Sequence, residues 1–200
     1  MLLRRLRRQP AETTWSRRNH ERRGSRRGVR QTEEIVGASG EVRQLLSILD
    51  QAYDRRSWHG TNLRGSIRGV SARQAAWRPG PDRHNIWELV VHAAYWKYVV
   101  WRRLTGQRRG SFPLKGSNWF RRPEDASERQ WRADIVLLDD MHRSLRDSVE
   151  SLPASELSRT PKGSTISDGF LISGAAAHDL YHAGQIQLLK RLSARAGHDA

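Results

Sequence analysis

The sequence predicts an all-α protein built as a four-helix bundle. Apolar residues recur at three- and four-residue spacing in four separate segments, as in helices that bury one face. Clusters of glycine and proline separate these segments. No stretch long enough for a strand alternates apolar and polar residues. A chain of 200 residues with 36% hydrophobic content can bury one sizeable core. We therefore expect a single helical domain, over residues 37–196.

The first two predicted helices are separated by a long connector. Helix one begins at about Glu41, and its inner face carries Val42, Leu45, Leu46, Leu49, Ala52 and Tyr53. In the connector, Ser71 is the expected N-cap of a short helical turn. Asn85 is expected to cap helix two, which ends near Thr105 because Gly106 supplies a C-terminal stop. Helix two is apolar nearly all the way round, so it is predicted to be central.

The last two predicted helices follow a second connector. Helix three runs from about Ala126 to Ser151 and is ended by Pro153, with His142 filling the one gap in its apolar series. Helix four runs from about Leu171 to Ala194. Its inner stripe is apolar except for two histidines: Ala175, His178, His182, Ile186 and Leu189. Metal sites in four-helix bundles are commonly assembled in the core from facing helices.

Three histidines form a candidate metal site. His178 and His182 lie one helical turn apart, so both imidazoles can face one point. His92 is the natural third ligand, because it lies in the middle of the most apolar helix. Three neutral imidazoles and a water give the open tetrahedral site that suits Zn²⁺ and is tolerated by Ni²⁺ and similar divalent ions. The alternative is that each histidine is a core residue hydrogen-bonded to a carbonyl or carboxylate, but their joint position favours the metal.

Two further side chains are placed to orient a ligand or to contact a bound water. Glu88 precedes His92 by one turn, and Gln185 follows His182 by about one turn. Each is also compatible with an ordinary residue at the boundary of the core. We therefore predict both as candidate residues that orient the ligands, with a boundary role as the alternative.

Several other kinds of site are excluded by the residue types present. The chain has no cysteine, so any metal must be held by His, Asp or Glu. The segment His178 to His182 differs from the zinc-protease motif, because Asp179 stands where that motif has Glu and the downstream protease pattern is absent. No Glu-x-x-His motif occurs, which argues against a di-iron carboxylate site. One mononuclear site is the remaining prediction.

The positive charge of the chain is concentrated at its start. Residues 1–30 contain eleven arginines against only Glu12 and Glu21, a net of +9 out of +15 for all 200 residues. We interpret residues 1–36 as a basic arm, disordered or loosely helical. Nucleic-acid binding through the arm is one hypothesis, and a solvated tail is the other. No apolar stretch has the roughly 20 residues needed to cross a bilayer, and no secretory signal follows the arginines, so we expect a cytoplasmic protein without a membrane span.

Two segments resemble the metal-ligand segments of the DinB-like family. They are residues 85–96, NIWELVVHAAYW, and residues 176–186, AAHDLYHAGQI. The similarity extends from about Leu45 to Leu192 and includes Trp58-His59-Gly60. The resemblance implies a bundle connected up-down-down-up, frequent homodimers and a three-histidine divalent metal site at the positions singled out above. Relatives include thiol transferases, isomerases and suspected hydrolases.

The leading hypothesis is a divalent-metal-dependent enzyme that acts on a small molecule by hydrolase or thiol-transferase chemistry. The metal would act as a Lewis acid or lower the pKa of a nucleophile. His59 is a candidate proton carrier, and equally an exposed or structural residue. The competing hypotheses are a nucleic-acid-binding or damage-response protein acting through its basic arm, and a metal-stabilised module without catalytic activity.

Overall fold

The computed structural model describes residues 38–122 and 127–196, and all regular secondary structure in these ranges is helical. The all-α prediction is confirmed. The four long helices are α1 (Gly40–Tyr53), α4 (Ile86–Thr105), α5 (Glu128–Glu150) and α6 (Asp168–Ala196). The short elements are α2 (Leu63–Ser66), α3 (Ala72–Ala76) and a 3₁₀ turn (Ala154–Ser158). The predicted basic arm, residues 1–36, lies outside the described residues.

Local side-chain caps explain where the helices start and stop. The side chain of Asn85 accepts a hydrogen bond from the Glu88 N–H, and Glu88 accepts one from the Asn85 N–H, so α4 begins with a capping box. Gly106 ends α4 in the left-handed region, at φ 67°. Ser71 caps α3, and Ser127 forms a capping box at the start of α5. The bounds predicted for helix two are therefore those observed.

The starts of α5 and α6 differ in detail from the prediction. The predicted start of helix three at Ala126 lies outside the described residues, and the helix is observed from Glu128. Helix α6 begins at Asp168 rather than near Leu171, with the Phe170 N–H donating to the Ser167 hydroxyl. Within residues 38–122 and 127–196, none of the helices combines the length and the hydropathy that a membrane span requires.

The long helices pack in a ring in which α6 contacts α1 and α4, and α5 contacts the same two helices. Near the starts of α4 and α5, the Trp87 indole N–H donates to the carboxylate of Asp134, 2.6 Å away. On another side of α5, Arg146 pairs with Asp50 of α1 at 2.9 Å, and Tyr53, further along α1, donates to Asp139, earlier in α5, as in an antiparallel pair. These contacts are compatible with the up-down-down-up order of directions, which stays a prediction.

The core has two apolar clusters, one along α4 from Ile86 to Tyr98 and one near the C-terminal end of α4 at Val100. The larger cluster lies between α4 and α5 and contains the fully buried rings of Trp87 and Trp131, whose centroids are 5.1 Å apart. The smaller one joins α1 and α6 to Val100 of α4. Burial of these side chains is the main stabilising contribution to the fold. Helices α4 and α6 are thereby fixed against each other along the face that carries the histidines.

Candidate metal centre

Three histidines meet where α4 faces α6. His92 lies in the middle of α4, while His178 and His182 lie one turn apart on α6. The Nε2 atom of His178 is 3.1 Å from Nε2 of His92 and 3.0 Å from Nε2 of His182. One ligand nitrogen from each ring lies within 4.8 Å of the others. The structure thus brings together the three histidines that the sequence singled out.

Two of the rings are oriented by hydrogen bonds on their outer nitrogens. Nδ1 of His92 is 2.8 Å from the backbone carbonyl oxygen of Asn118, and Nδ1 of His182 is 2.7 Å from Oε1 of Gln185. An oxygen that only accepts requires Nδ1 to carry the proton, which leaves the lone pair on Nε2. Both lone pairs therefore point to the centre of the cluster. Histidine ligands of metals usually have a second partner of this kind.

The donor set fits a divalent cation. With lone pairs on Nε2 of His92 and of His182, the ring of His178 between them can donate its one proton to only one neighbour at a time. The cluster therefore contains more acceptors than donors, an imbalance that a cation would remove. Ligand nitrogens bound at 2.0–2.1 Å in a tetrahedron lie about 3.3 Å apart, close to the two Nε2 separations observed. Only small movements would be needed to accommodate an ion.

Burial keeps these imidazoles neutral. It lowers the pKa of His178 to about 3, with a further contribution from the two neighbouring histidines, and it lowers the pKa of His182 to about 4. Burial also lowers the pKa of His92, while its hydrogen bond to Asn118 opposes that shift. Neutral imidazole is the form that binds metal. At neutral pH the three rings are therefore in the protonation state that a cation requires.

Comparison with protein families agrees with this geometry. The sequence model of the DinB superfamily matches residues 55–186. The chain belongs to the DinB superfamily. The matched range contains all three histidines of the cluster and also Gln185. No curated protein and no solved structure matches the chain.

The resemblance to the DinB-like family is therefore confirmed, and the histidine cluster is consistent with a metal-binding member of it. Among the described residues, these three form the one group of three or more His, Asp or Glu side chains close enough to share an ion.

Glu88 and Gln185 stand at different distances from the cluster. Gln185 contacts His182 directly, whereas the carboxylate of Glu88 binds Arg78, at 2.5 Å, and Nδ1 of His84, at 3.1 Å. The Arg78 and His84 hydrogen bonds lower the pKa of Glu88 against the opposing effect of burial. As ligand-orienting residues both stay predictions, but only Gln185 has a hydrogen bond to one of the three rings.

An aromatic stack covers one side of the three-histidine cluster. The indole of Trp119 lies between two imidazoles, with its centroid 3.8 Å from that of His92 and 3.6 Å from that of His84. Glu88 holds His84 in this stack. The sequence did not indicate that Trp119 lies beside the histidines, because loop residues show no periodicity from which a contact could be predicted.

Asn118 is a site residue that the sequence did not indicate. It is the one non-glycine residue with positive φ, 63°, in the described part of the chain. Its carbonyl faces His92, and its side-chain oxygen accepts a hydrogen bond from the Trp96 indole at 2.9 Å. Asparagine tolerates the left-handed region better than most residues. The connector after α4 is thus held in the conformation that orients His92.

A buried ion pair lies beside the cluster. Nζ of Lys97 on α4 contacts the carboxylate of Asp179 on α6, and both side chains are almost completely buried. Burial raises the pKa of Asp179, and the charge of Lys97 opposes this. The pair ties α4 to α6 next to the histidines, because Asp179 directly follows His178. Because Asp179 pairs with Lys97, it adds no net negative charge to the three-histidine cluster.

The other two histidines considered from the sequence lie elsewhere. His59 is exposed in the connector between α1 and α2, and its role as a proton carrier stays a prediction. His142 is buried in α5 and stacks on Tyr53 of α1, with ring centroids 3.6 Å apart. His142 is therefore a core residue between two helices, as its place in the apolar series of α5 predicted.

Proposed function

We propose that this protein is a divalent-metal-dependent enzyme of the DinB superfamily with a mononuclear site at His92, His178 and His182. The observation that carries the proposal is the convergence of three Nε2 atoms, two of which belong to rings oriented through Nδ1. Neutral nitrogen donors without a carboxylate suit Zn²⁺, Ni²⁺ and similar ions.

The residues around the site support catalysis in distinct ways. A divalent ion held there would supply Lewis acidity, which polarises a carbonyl or lowers the pKa of a nucleophile. Asn118 and Gln185 hold the proton on Nδ1 of their histidines, so the donor atoms stay directed inward. Trp119 excludes water from one face of His92. Three protein ligands leave a coordination position for substrate, and we infer hydrolase or thiol-transferase chemistry on a small molecule.

Three further expectations also stay predictions. They are the cytoplasmic location, the homodimer and the small-molecule substrate. The net charge of +9 within residues 1–30 favours a second candidate function, nonspecific binding of nucleic acid by the arm. A metal-stabilised module without activity is the third candidate, since a buried metal site also stabilises the native state.

Metal content tests the proposed site. The protein is stripped with chelator, refilled with Zn²⁺, dialysed and analysed for zinc per chain. We expect about one ion in wild type, and well below that in His178→Ala and in His182→Ala, because two imidazoles bind more weakly than three. His59→Ala is the matched control, since His59 is exposed and lies in a connector. Equal zinc content in wild type and in both core variants would refute the site.

Turnover separates an enzyme from a metal-stabilised module. Zinc-loaded and stripped protein are compared on a panel of activated small-molecule esters and of electrophiles offered with a small thiol. Metal-dependent turnover that is lost in His178→Ala supports the enzyme. Stoichiometric zinc without turnover on either panel would favour the module.

A further inference from the structure

A cavity of about 130 Å³ adjoins the three-histidine cluster. His178 and Trp96 line it on the side of the cluster, and Gly174 and Ala175 line it one turn earlier on α6. Phe170 also lines the cavity and is 68% exposed, so the cavity is open to solvent. Apart from His178, every side chain that lines the cavity is apolar or aromatic.

The cavity shares His178 with the candidate metal centre. His178 belongs to both, and its Nε2 is within 3.1 Å of Nε2 of the other two histidines. The Trp96 ring lies 6.2 Å from the ring of His178 and 6.3 Å from that of His92, centroid to centroid. The Trp96 indole is fixed by its hydrogen bond to Asn118. A molecule bound at the histidines therefore has a preformed apolar space beside it.

The size and chemistry of the cavity limit what can fill it. An engineered apolar cavity of about 150 Å³ binds benzene. A space of about 130 Å³ accordingly suits a phenyl ring or a branched alkyl group of similar size. A charged or strongly polar group would lose its hydration without finding a partner on these walls. An apolar substituent is the occupant that the walls favour.

We propose that this cavity binds an apolar group of the substrate, which would then be a small molecule joining a metal-binding headgroup to a compact group of about phenyl size. This inference rests on the proposed function, because the headgroup requires a metal at the three histidines. The cavity then acts as the specificity-determining subsite: it selects substrates by the size of the apolar group.

A pair of probes tests the subsite on the full chain loaded with Zn²⁺. Acetohydroxamate carries a metal-binding headgroup alone, and phenylacetohydroxamate carries the same headgroup with a phenyl ring. Calorimetry should show the phenyl compound binding about tenfold tighter or more, because burying a ring of this size is worth a factor of that order.

Two helical glycines provide matched variants. A Cβ added at Gly174 or at Gly184 meets nothing within 4 Å, so each site has room for a side chain on α6. Gly174 lines the cavity and Gly184 does not. Gly174→Leu should abolish the advantage of the phenyl probe while zinc content and acetohydroxamate affinity stay unchanged. Gly184→Leu should keep the advantage. Ala175→Leu is a second cavity-filling variant with the same expected loss.

The outcomes separate this inference from the proposed function. If the wild type binds no zinc, the proposed function fails and the subsite fails with it. If zinc and acetohydroxamate bind but the phenyl ring adds nothing, the subsite is overturned while the metal site stands. Survival of the phenyl advantage in both Gly174→Leu and Ala175→Leu also overturns it. The subsite is also overturned if these variants change from dimer to monomer without any effect on probe binding. The cavity would then be occupied by a second copy of the chain.

Discussion

The buried histidine of α5 should make the metal-free protein sensitive to acid. His142 is 6% exposed, stacks on Tyr53 and has an Nδ1 without a hydrogen-bond partner among the described residues. Burial lowers its pKa to about 2, and the positive charges of Lys97 and Arg146 add to this effect. Histidine in an unfolded chain has a pKa near 6.5. Between these values, the unfolded state binds a proton that the native state does not.

The sign and size of the effect follow from that difference. Above about pH 6.5 both states are neutral at His142, and its contribution to the pH dependence vanishes. As the pH falls below this value, the free energy of unfolding decreases by about 1.36 kcal/mol per pH unit for this one group. Between about pH 6.5 and 4.5 the loss is therefore about 2.7 kcal/mol. It continues towards the folded-state pKa of about 2.

The variant His142→Phe isolates this contribution. Phenylalanine keeps a ring against Tyr53, and any packing strain from its larger size acts equally at both pH values. Urea unfolding of metal-free protein at about pH 7.5 and 4.5 should show that wild type loses about 2.7 kcal/mol more than His142→Phe. The exposed-site control, His59→Phe, should behave as wild type. The same pH dependence in wild type and His142→Phe would refute the reasoning.

Three other changes probe the site and the arm. Gln185→Leu removes the acceptor on Nδ1 of His182 and should lower zinc affinity about 10- to 100-fold in a competition titration with a chelator; unchanged affinity would show that Gln185 does not orient the ligand. Lys97→Met removes the partner of the buried Asp179 carboxyl and should lower the free energy of unfolding in urea by about 3–5 kcal/mol, with recovery in the double variant Lys97→Met/Asp179→Leu; a fully stable single variant would contradict a buried pair. Deleting residues 1–36 should leave zinc content unchanged and reduce both DNA affinity and its salt dependence, whereas tight salt-insensitive binding by the truncated chain would assign nucleic-acid binding to the helical domain.

The parts of the fold that were predictable are those set by local interactions. The bounds of α4 followed from a side-chain cap at Asn85 and a left-handed glycine at Gly106, both of which act within a few residues. Likewise, the spacing of His178 and His182 on one helix fixes their common face. The prediction that His92 joins these two histidines depended on the apolar surroundings of all three in helices two and four. An imidazole among apolar side chains needs a polar partner.

The parts that were not predictable depend on tertiary contacts. Asn118 and Trp119 come from a connector without periodicity, so nothing in their spacing indicated that they contact His92. Lys97 stands out only as a charge on an apolar helix, and its partner Asp179 is 82 residues away. Glu88 has the spacing expected of a residue that orients His92, yet its carboxylate is taken by the capping box and by neighbours in the preceding loop.

X-ray absorption at the metal edge is the most direct test of the three-histidine site. Zinc-loaded wild type should show about three imidazole nitrogens at roughly 2.0–2.1 Å, with the multiple-scattering pattern of histidine rings. His178→Ala, if it still retains zinc, should show fewer. A first shell of oxygen atoms without imidazole scattering, or the same imidazole count in wild type and His178→Ala, would contradict a metal held by His92, His178 and His182.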